Sequence, residues 1–442
     1  MTAIYTPNDP KYFDKDDLSQ ELDRVFDLCH GCRLCFNLCP SFPTLFNFID
    51  NHDGDATALS EQERDQVVDE CYQCKLCYVK CPYVPPHEWK LDFPRLMSRV
   101  HAQRFQNAQS LKSRLTDQFL GRTDTLGTLS TLAPGLINKL SGTPGSFSRK
   151  MMEKTLGIAS SRLLPPYARI RFTTWFKKHH KGISTKAPDG KVATVFPTCF
   201  IEYMEPEVGQ DLVSVYEHNK IECCIPTGTK CCGAPWLHSG NVDEFKKSAE
   251  KNISALVAHA RSKRAIIVAQ PTCAYVIKRD YPLYIDTDDA RLVAEHTYDP
   301  AEYLMAMHRE DKDSLDLCFP GRESGAVGDK ATYHLPCHLV AQNIGLKSRD
   351  LLKLANIECD VVQRCSGIDG TWGYRALNYD LARKVAAPMG KEILNASNEM
   401  VIGDCHLANG SILQETGLKS LHPIQLFARA YGLKNGTFKD GG

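Results

Sequence analysis

The chain has 442 residues, 53 Lys plus Arg against 53 Asp plus Glu, 43% hydrophobic residues and 19 cysteines. Zero net charge excludes an overall polyanion binder, and no apolar run approaches the roughly 20 residues of a membrane-spanning helix. The first ten residues have neither a basic flank nor an apolar core, so neither an exported nor an integral membrane protein is expected. At about 100–200 residues per domain the length suits two to four domains. An odd cysteine count in so long a chain argues against a secreted disulfide scaffold.

Residues 29–40 read Cys-His-Gly-Cys-Arg-Leu-Cys-Phe-Asn-Leu-Cys-Pro, and residues 71–82 read Cys-Tyr-Gln-Cys-Lys-Leu-Cys-Tyr-Val-Lys-Cys-Pro. Both are C-x2-C-x2-C-x3-C-P, the run of two-cluster ferredoxins, whose fourth cysteine ligates the other cluster. Three closely spaced thiolates wrap three irons of one cubane. The fourth, before a proline suited to a helix's first turn, is expected to open a helix leading to the other cluster. Cys29, Cys32, Cys35 and Cys81 are therefore expected to hold one [4Fe–4S] cluster, and Cys71, Cys74, Cys77 and Cys39 a second. Structural zinc would use paired C-x2-C ligands without the third and fourth cysteines. The acidic stretch Asp50–Glu70 between the runs reads as a solvated loop and helix, with a docking face for a basic redox partner as the alternative. Lys75, Lys80 and Arg33 lie within the runs and would offset cluster charge.

From about 100 to 185 there are no cysteines. Arg149 to Lys181 contains nine Lys or Arg against one acid, Glu153, interleaved with apolar residues that include Tyr167, Phe172, Trp175 and Phe176. Such a segment is either a linker packed across domains or a contact to an anionic membrane surface. Nucleic-acid binding has no motif support.

From Lys191 short β-rich runs alternate with helical patterns, twice over. Strands at Val192–Phe196, Ile221–Ile225 and Ala265–Ala269 lead to Cys199, Cys231-Cys232-Gly233 and Cys273. Strands at Ala331–Leu335, Ile357–Val362 and Glu399–Ile402 lead to Cys337, Cys365-Ser366-Gly367 and Cys405. Ligands of open α/β sheets bind at the carboxyl ends of strands, where these cysteines converge. Cys199, Cys231, Cys232 and Cys273 are expected to bind metal. Cys337, Cys365 and Cys405 form a thinner set, with Ser366 in place of the fourth thiol. His334, His338 and His406 flank it as structural residues, ligands or proton donors. Cys223, Cys224, Cys318 and Cys359 fit no ligand pattern.

The reading is a mixed α and β chain: a helical two-cluster ferredoxin-type domain (1–100), a helical basic linker (101–190), and two repeated α/β units (191–325 and 326–442). With Phe196-Pro-Thr-Cys199, Lys230-Cys-Cys-Gly233, Tyr333-His-Leu-Pro-Cys-His338 and Gly367-Ile-Asp-Gly-Thr-Trp-Gly-Tyr374, the sequence resembles the CCG-type, heterodisulfide-reductase-like iron–sulfur oxidoreductases, which include the C subunits of anaerobic glycerol-3-phosphate dehydrogenases. The resemblance implies a cytoplasmic electron carrier, peripheral on the inner face of the cell membrane, linking a flavoprotein dehydrogenase or other redox protein to the quinone pool. Alternatives are an enzyme acting directly on a disulfide or small oxidant, and a non-catalytic membrane-anchoring subunit. It also implies a non-cubane [4Fe–4S] cluster in the first unit. Neither unit keeps the family's terminal Cys-x2-Cys pair, which leaves the second unit's occupancy open. No dinucleotide fingerprint follows any predicted strand, so no bound flavin or NAD is expected.

Overall fold

The computed structural model describes residues 5–107, 111–180, 191–368 and 370–433. Helix Lys15–Cys32 starts where the Asp14 carboxylate accepts the Asp17 N–H at 2.9 Å. Its buried Leu18, Leu22, Val25 and Phe26 meet Phe42, Leu45, Phe46 and Ile49 of helix Ser41–Asn51, together with Phe93, Leu96 and Met97 of helix Phe93–Asn107. Helix Glu61–Asp69 adds Val67 and Val68 beneath a Ser60–Glu63 capping box. Several charges of the acidic spacer are paired with residues from the flanking helices. Arg64 meets Asp23 at 2.7 Å, and Arg104 holds both Asp65 and Asp69.

One local expectation is corrected. Pro40 does stand immediately before a helix, Ser41–Asn51, but Pro82 opens turns instead. Pro85 and Pro86 follow within four residues; a residue before proline avoids the helical region and proline donates no backbone hydrogen bond.

Among the described residues seven strands form two parallel sheets: β1 Val192–Val195, β2 Glu222–Cys224, β3 Ala265–Ile267 and β4 Thr297–Tyr298, in the order β2-β1-β3-β4, and β5 Lys330–His334, β6 Glu358–Val362 and β7 Met400–Gly403, in the order β6-β5-β7. Six strands fall where the repeat predicts them; β4 is additional. Register places Ala193 opposite both Cys223 and Ala265, and Ala331 opposite Cys359 and Met400. The two units are not separate bodies. One apolar core runs through both, joining Val195 and Ile267 to Tyr333 and Ile402. Helix Pro423–Ala430, from the end of the chain, inserts Leu426 and Phe427 into that core and bonds Gln425 to Asp211 of helix Pro206–His218.

Two bases of the basic segment pack as a linker would, while Lys150, Lys154, Arg169, Lys177 and Lys178 are exposed. Arg149 and Arg162 are 0% and 1% exposed. Arg149 donates to the carbonyls of Ser141, Ala159 and Arg162 at 2.7–2.8 Å. Arg162 donates to Gly373 O at 2.9 Å and Gln414 Oε1 at 3.1 Å, over the Tyr379 ring. Phe172 and Phe176 belong to the shared core, with Trp175 packed against it. Carbonyls, not lipid, satisfy these two guanidinium groups. Lys181, the last base of the run, lies outside the described residues. Exposed apolar side chains cluster just upstream, at Leu129, Leu132, Leu136, Leu140 and Phe147, with Met151 and Ile170 inside the segment. No described helix is long and apolar enough to cross a membrane.

Candidate functional site

The two cysteine runs cross in space. Cys29, Cys32 and Cys35 line one cavity with Cys81, and Cys71, Cys74 and Cys77 line another with Cys39. In each run the residue after the second cysteine is left-handed, Arg33 at φ 52° and Lys75 at φ 65°, which turns the loop around its cavity. Burial, then repulsion from Cys35, Cys81 and Cys32, pushes the Cys29 thiol well up. Burial and then Cys74, Cys71 and Cys39 do the same to Cys77. Bare thiolates are thus unfavourable in these cavities unless positive charge lies among them. The donors are all sulfur, which selects soft metals and iron–sulfur clusters. One ion at about 2.3 Å from each sulfur would draw the sulfurs to within about 4 Å of each other. Among the described residues no three His, Cys, Asp or Glu side chains are gathered around a single-ion site. Two all-thiol sets fit iron–sulfur clusters, which soft thiolate donors select.

The first cavity is nearer the surface: Cys32 is exposed, as are Leu34, Phe36 and Val79 around it. Cys71, Cys74 and Cys77 are buried. So is Lys75, 5% exposed, whose Nζ donates to Gln73 Oε1 at 2.5 Å.

In the first α/β unit, Cys199 starts helix Cys199–Tyr203 just past β1, and Cys273 lies in helix Pro271–Tyr275 past β3. Cys231 and Cys232 follow β2 on a turn braced by Asn252, which accepts Lys230 N–H at 2.7 Å and donates to Cys231 O at 3.2 Å. All four thiols come close enough to act on one another, Cys231 on Cys199 and Cys232, and Cys232 on Cys273. Hydrogen bonds from Cys199, then Cys232, hold Cys231 well below the ordinary thiol range. The linker closes this site from outside. Asp124 Oδ2 accepts the Cys231 N–H at 2.8 Å, and burial, then Cys231, pushes the Asp124 carboxyl up to about 6. No sequence pattern pointed to Asp124, which lies 107 positions from its partner.

In the second unit Cys337, Cys365 and Cys405 line one cavity with Ser366, His334 and His338. Gly367 N–H donates to Cys365 Sγ at 3.3 Å, and Gln270 of the first unit donates to Cys405 Sγ at 3.3 Å. His334 and His338 are engaged with backbone carbonyls, of Arg364 at 3.0 Å and Gln73 at 3.1 Å. His406 turns away, stacked on Phe200. Cys223 is buried in β2, Cys224 and Cys359 are half-buried on strands, and Cys318 is exposed; none joins a thiol set.

The second ferredoxin-type cavity abuts the second unit. Tyr72 meets Trp372 with ring centroids 5.1 Å apart and planes tilted by 53°, and the Trp372 indole donates to Asp69 O at 2.7 Å. Cys365 is near enough to act on both Tyr72 and Cys39.

This arrangement, a helical four-plus-four cysteine module docked on paired parallel sheets with thiols at their strand ends, defines a class. Residues 22–107 match the citrate utilization protein B Fer4-like domain, and residues 193–278 and 331–407 each match the cysteine-rich (CCG) domain. The chain is 27% identical to the C subunit of the anaerobic glycerol-3-phosphate dehydrogenase of Escherichia coli over 314 residues, 70% of this chain and 76% of that protein. It is 27% identical to the B subunit of the fumarate reductase (CoM/CoB) of Methanothermobacter marburgensis, across 53% of this chain and 46% of that one. It is also 27% identical to lactate utilization protein A of an Exiguobacterium species, across 55% of this chain and 97% of that one.

Proposed function

We propose that the chain is an iron–sulfur electron-transfer subunit, passing electrons between a flavoprotein dehydrogenase or other redox protein and the quinone pool. The observation that carries this is the crossing of the two cysteine runs into two all-thiol cavities, one near the surface and one against the second α/β unit. Cys29, Cys32, Cys35 and Cys81 would hold one [4Fe–4S] cluster, and Cys39, Cys71, Cys74 and Cys77 the other. Cys199, Cys231, Cys232 and Cys273 would hold a third, non-cubane cluster, while the second unit, with Ser366 for a thiol, stays empty. When bound, the clusters supply one-electron carriers. The chain's own residues surround them: Leu34, Phe36 and Val79 form an apolar rim where a redox partner can approach Cys32. Relatives named as subunits of a dehydrogenase and a reductase support a redox partner.

The chain would lie on the cytoplasmic face of the membrane through Leu129, Leu132, Leu136, Leu140, Phe147 and Met151, beside exposed Lys139, Lys150 and Lys154. Apolar side chains flanked by lysines suit anionic lipid. Salt-sensitive co-sedimentation with anionic vesicles, lost in a Leu132→Ser/Leu136→Ser/Phe147→Ser variant, is the expected result; unchanged binding refutes this placement.

Iron analysis and electron paramagnetic resonance on anaerobically purified protein test the cluster reading. The expected result is about twelve irons per chain and two spin-coupled cubanes on reduction. Cys39→Ser is expected to damage the cluster of Cys71, Cys74 and Cys77; damage confined to the other cluster overturns the crossed assignment. About eight irons would mean that both α/β units are empty, and about sixteen that Ser366 does not exclude a cluster.

A further inference from the structure

The linker carries no cysteine, yet two of its residues meet the first unit's thiol set. Asp124 Oδ2 accepts the Cys231 N–H at 2.8 Å, and Tyr203 acts on the same carboxyl. Thr123 Oγ1 is buried with no hydrogen-bond partner of its own among the described residues, and it lies close enough to Cys231 to act on its thiol. The two residues open helix Thr123–Ser130.

Close packing holds that helix in place. A Cβ at Gly121 would lie 2.4 Å from the Trp236 ring, and one at Gly127 would lie 2.4 Å from the Tyr203 ring. Both rings are buried, and both grow from thiol-bearing segments. Tyr203 ends helix Cys199–Tyr203, and Trp236 follows Cys231-Cys232-Gly233-Ala-Pro. The linker thus reaches the site only because glycine stands at both points of approach. Arg171 secures the far end, donating to Thr131 Oγ1 at 2.8 Å and to Thr128 O at 2.9 Å, with its guanidinium 5.6 Å from the centre of the Tyr203 ring.

A buried hydroxyl without an acceptor is destabilising. A metal-bound Cys231 thiolate would be that acceptor, because it keeps negative charge on sulfur and takes a charge-assisted hydrogen bond. The Asp124 contact fixes the backbone of Cys231 and so the direction of its side chain. Partners of this kind orient metal ligands and tune the metal.

We infer that Thr123 and Asp124 are the linker's contribution to the first unit's cluster site: Asp124 positions Cys231 through its backbone N–H, and the Thr123 hydroxyl donates to the Cys231 sulfur. The inference rests on the reading above that a third cluster occupies the first unit, and it makes the linker part of that site rather than a spacer. Hydrogen bonds to the sulfurs help set a cluster's potential. A donor to sulfur favours the state that holds the extra electron, so its loss moves the cluster to more negative potential. Neither residue lines either ferredoxin-type cavity, so the effects are confined to the third cluster.

Iron release, electron paramagnetic resonance and redox titration of the anaerobically purified full chain test this. Asp124→Ala is expected to lose third-cluster iron to a ferrous chelator at least about tenfold faster than the parent, whereas Asp124→Asn, which keeps an oxygen acceptor, stays within about threefold. Thr123→Val keeps the shape without the hydroxyl. It is expected to make reduction of the third cluster about tenfold less favourable, about 59 mV more negative for one electron, and Thr123→Ser is expected to restore the parent's value to within about threefold. Thr125→Ala, at an exposed position of the same helix, should change neither readout. The signals of the two cubanes should be unchanged throughout. If Asp124→Ala does not fold, the Thr123 variants decide the question. Parental iron release in Asp124→Ala overturns the role of Asp124, and a parental or more positive potential in Thr123→Val overturns that of Thr123, while the third-cluster reading stands. Loss of cubane iron alongside the third cluster in Asp124→Ala marks general unfolding and likewise overturns the positioning role. About eight irons in the parent overturns the third-cluster reading and this inference together, and leaves the two-cubane electron carrier intact.

Discussion

The imidazole of His338 donates from Nε2 to the carbonyl of Gln73 at 3.1 Å. Its Nδ1 accepts the Thr272 hydroxyl at 2.9 Å. Gln73 stands between Cys71 and Cys74, Thr272 beside Cys273, and His338 beside Cys337, so one side chain ties together the three cysteine-bearing parts of the chain. Both bonds are buried, and losing one leaves a buried group unsatisfied at about 1–3 kcal/mol. His338→Ala is expected to lower the urea midpoint accordingly while iron content stays at the parent's value. An unchanged midpoint would show that the junction does not depend on this contact.

Lys75 brings a buried positive charge to the wall of the second ferredoxin-type cavity. At an effective dielectric of about 20 and a separation of about 6–10 Å, one charge acts on a neighbouring electron by about 1.7–2.8 kcal/mol. For a one-electron couple that is roughly 70–120 mV. Lys75→Met, which keeps the length of the side chain, should shift the adjacent cluster to more negative potential by that order in a redox titration. A shift in the positive direction would contradict the assignment of this charge to the cluster wall.

Arg162 fastens the linker to the second unit. Beyond its two hydrogen bonds it sits 4.9 Å from the Tyr379 ring centroid. Arg162→Ala should cost about 2–4 kcal/mol, since charged-group hydrogen bonds and a desolvated cation–π contact are lost together. Lysine lacks the planar fork and should restore little of this. Limited proteolysis within 111–170 should accelerate in both variants, and equal protection of parent and Arg162→Ala would refute the anchoring role.

The two glycines after the strand-end cysteines are both left-handed, Gly233 at φ 88° and Gly367 at φ 64°. A Cβ at Gly233 would lie 2.8 Å from Phe245 Cδ2, a ring that can shift. At Gly367 it would lie 2.1 Å from the backbone oxygen of Ala382, which cannot move alone. Gly367→Ala should therefore be the more damaging of the two, by more than the roughly 1 kcal/mol of left-handed strain that both share. Thermal unfolding of the two variants side by side gives the order, and equal losses would refute it.

His422 caps helix Pro423–Ala430 with a neutral ring, Nδ1 accepting the Ile424 N–H at 3.2 Å. Burial, then the neighbouring His406 ring, holds its pKa well below the usual histidine value. The facing helix Pro206–His218 contributes Asp211, which is bonded to Gln425 rather than to His422. The unfolded chain therefore takes up a proton at His422 near pH 6.5, before the folded protein does. Stability is full above that pH and declines below it, by up to about 1.4 kcal/mol per pH unit. His422→Asn keeps a capping side chain and removes the titration. The difference in denaturation midpoint between pH 7.5 and 5.5 should shrink in this variant, and an unchanged difference would exclude His422 as a source of acid sensitivity.

Most of the site was legible because cysteine spacing and strand-end position are local patterns. Cys39 and Cys81 cross over as C-x2-C-x2-C-x3-C-P implies, and Cys199, Cys273, Cys337 and Cys405 follow strands that alternate with helices. Strand Thr297–Tyr298 is two residues long, too short to carry any periodicity. Arg149 and Arg162 left a packed linker and a membrane contact both open, because acceptors such as Gly373 O, 211 positions from Arg162, lie outside any local pattern. The Asp124–Cys231 contact joins residues 107 positions apart, which no window of sequence brings together.

The crossing of the cysteine runs also sets an order of emergence during synthesis. The cavity begun by Cys29 stays one sulfur short until residue 81 has been made, although its other three cysteines are present by residue 35. The cavity begun later, at Cys71, already has Cys39 and is complete at residue 77. At about 5–20 residues per second a nascent chain carries three unmatched thiols of the first set for roughly 2–9 seconds. The later run thus completes its set first, and an iron–sulfur carrier that meets the chain on the ribosome finds the buried site ready before the exposed one.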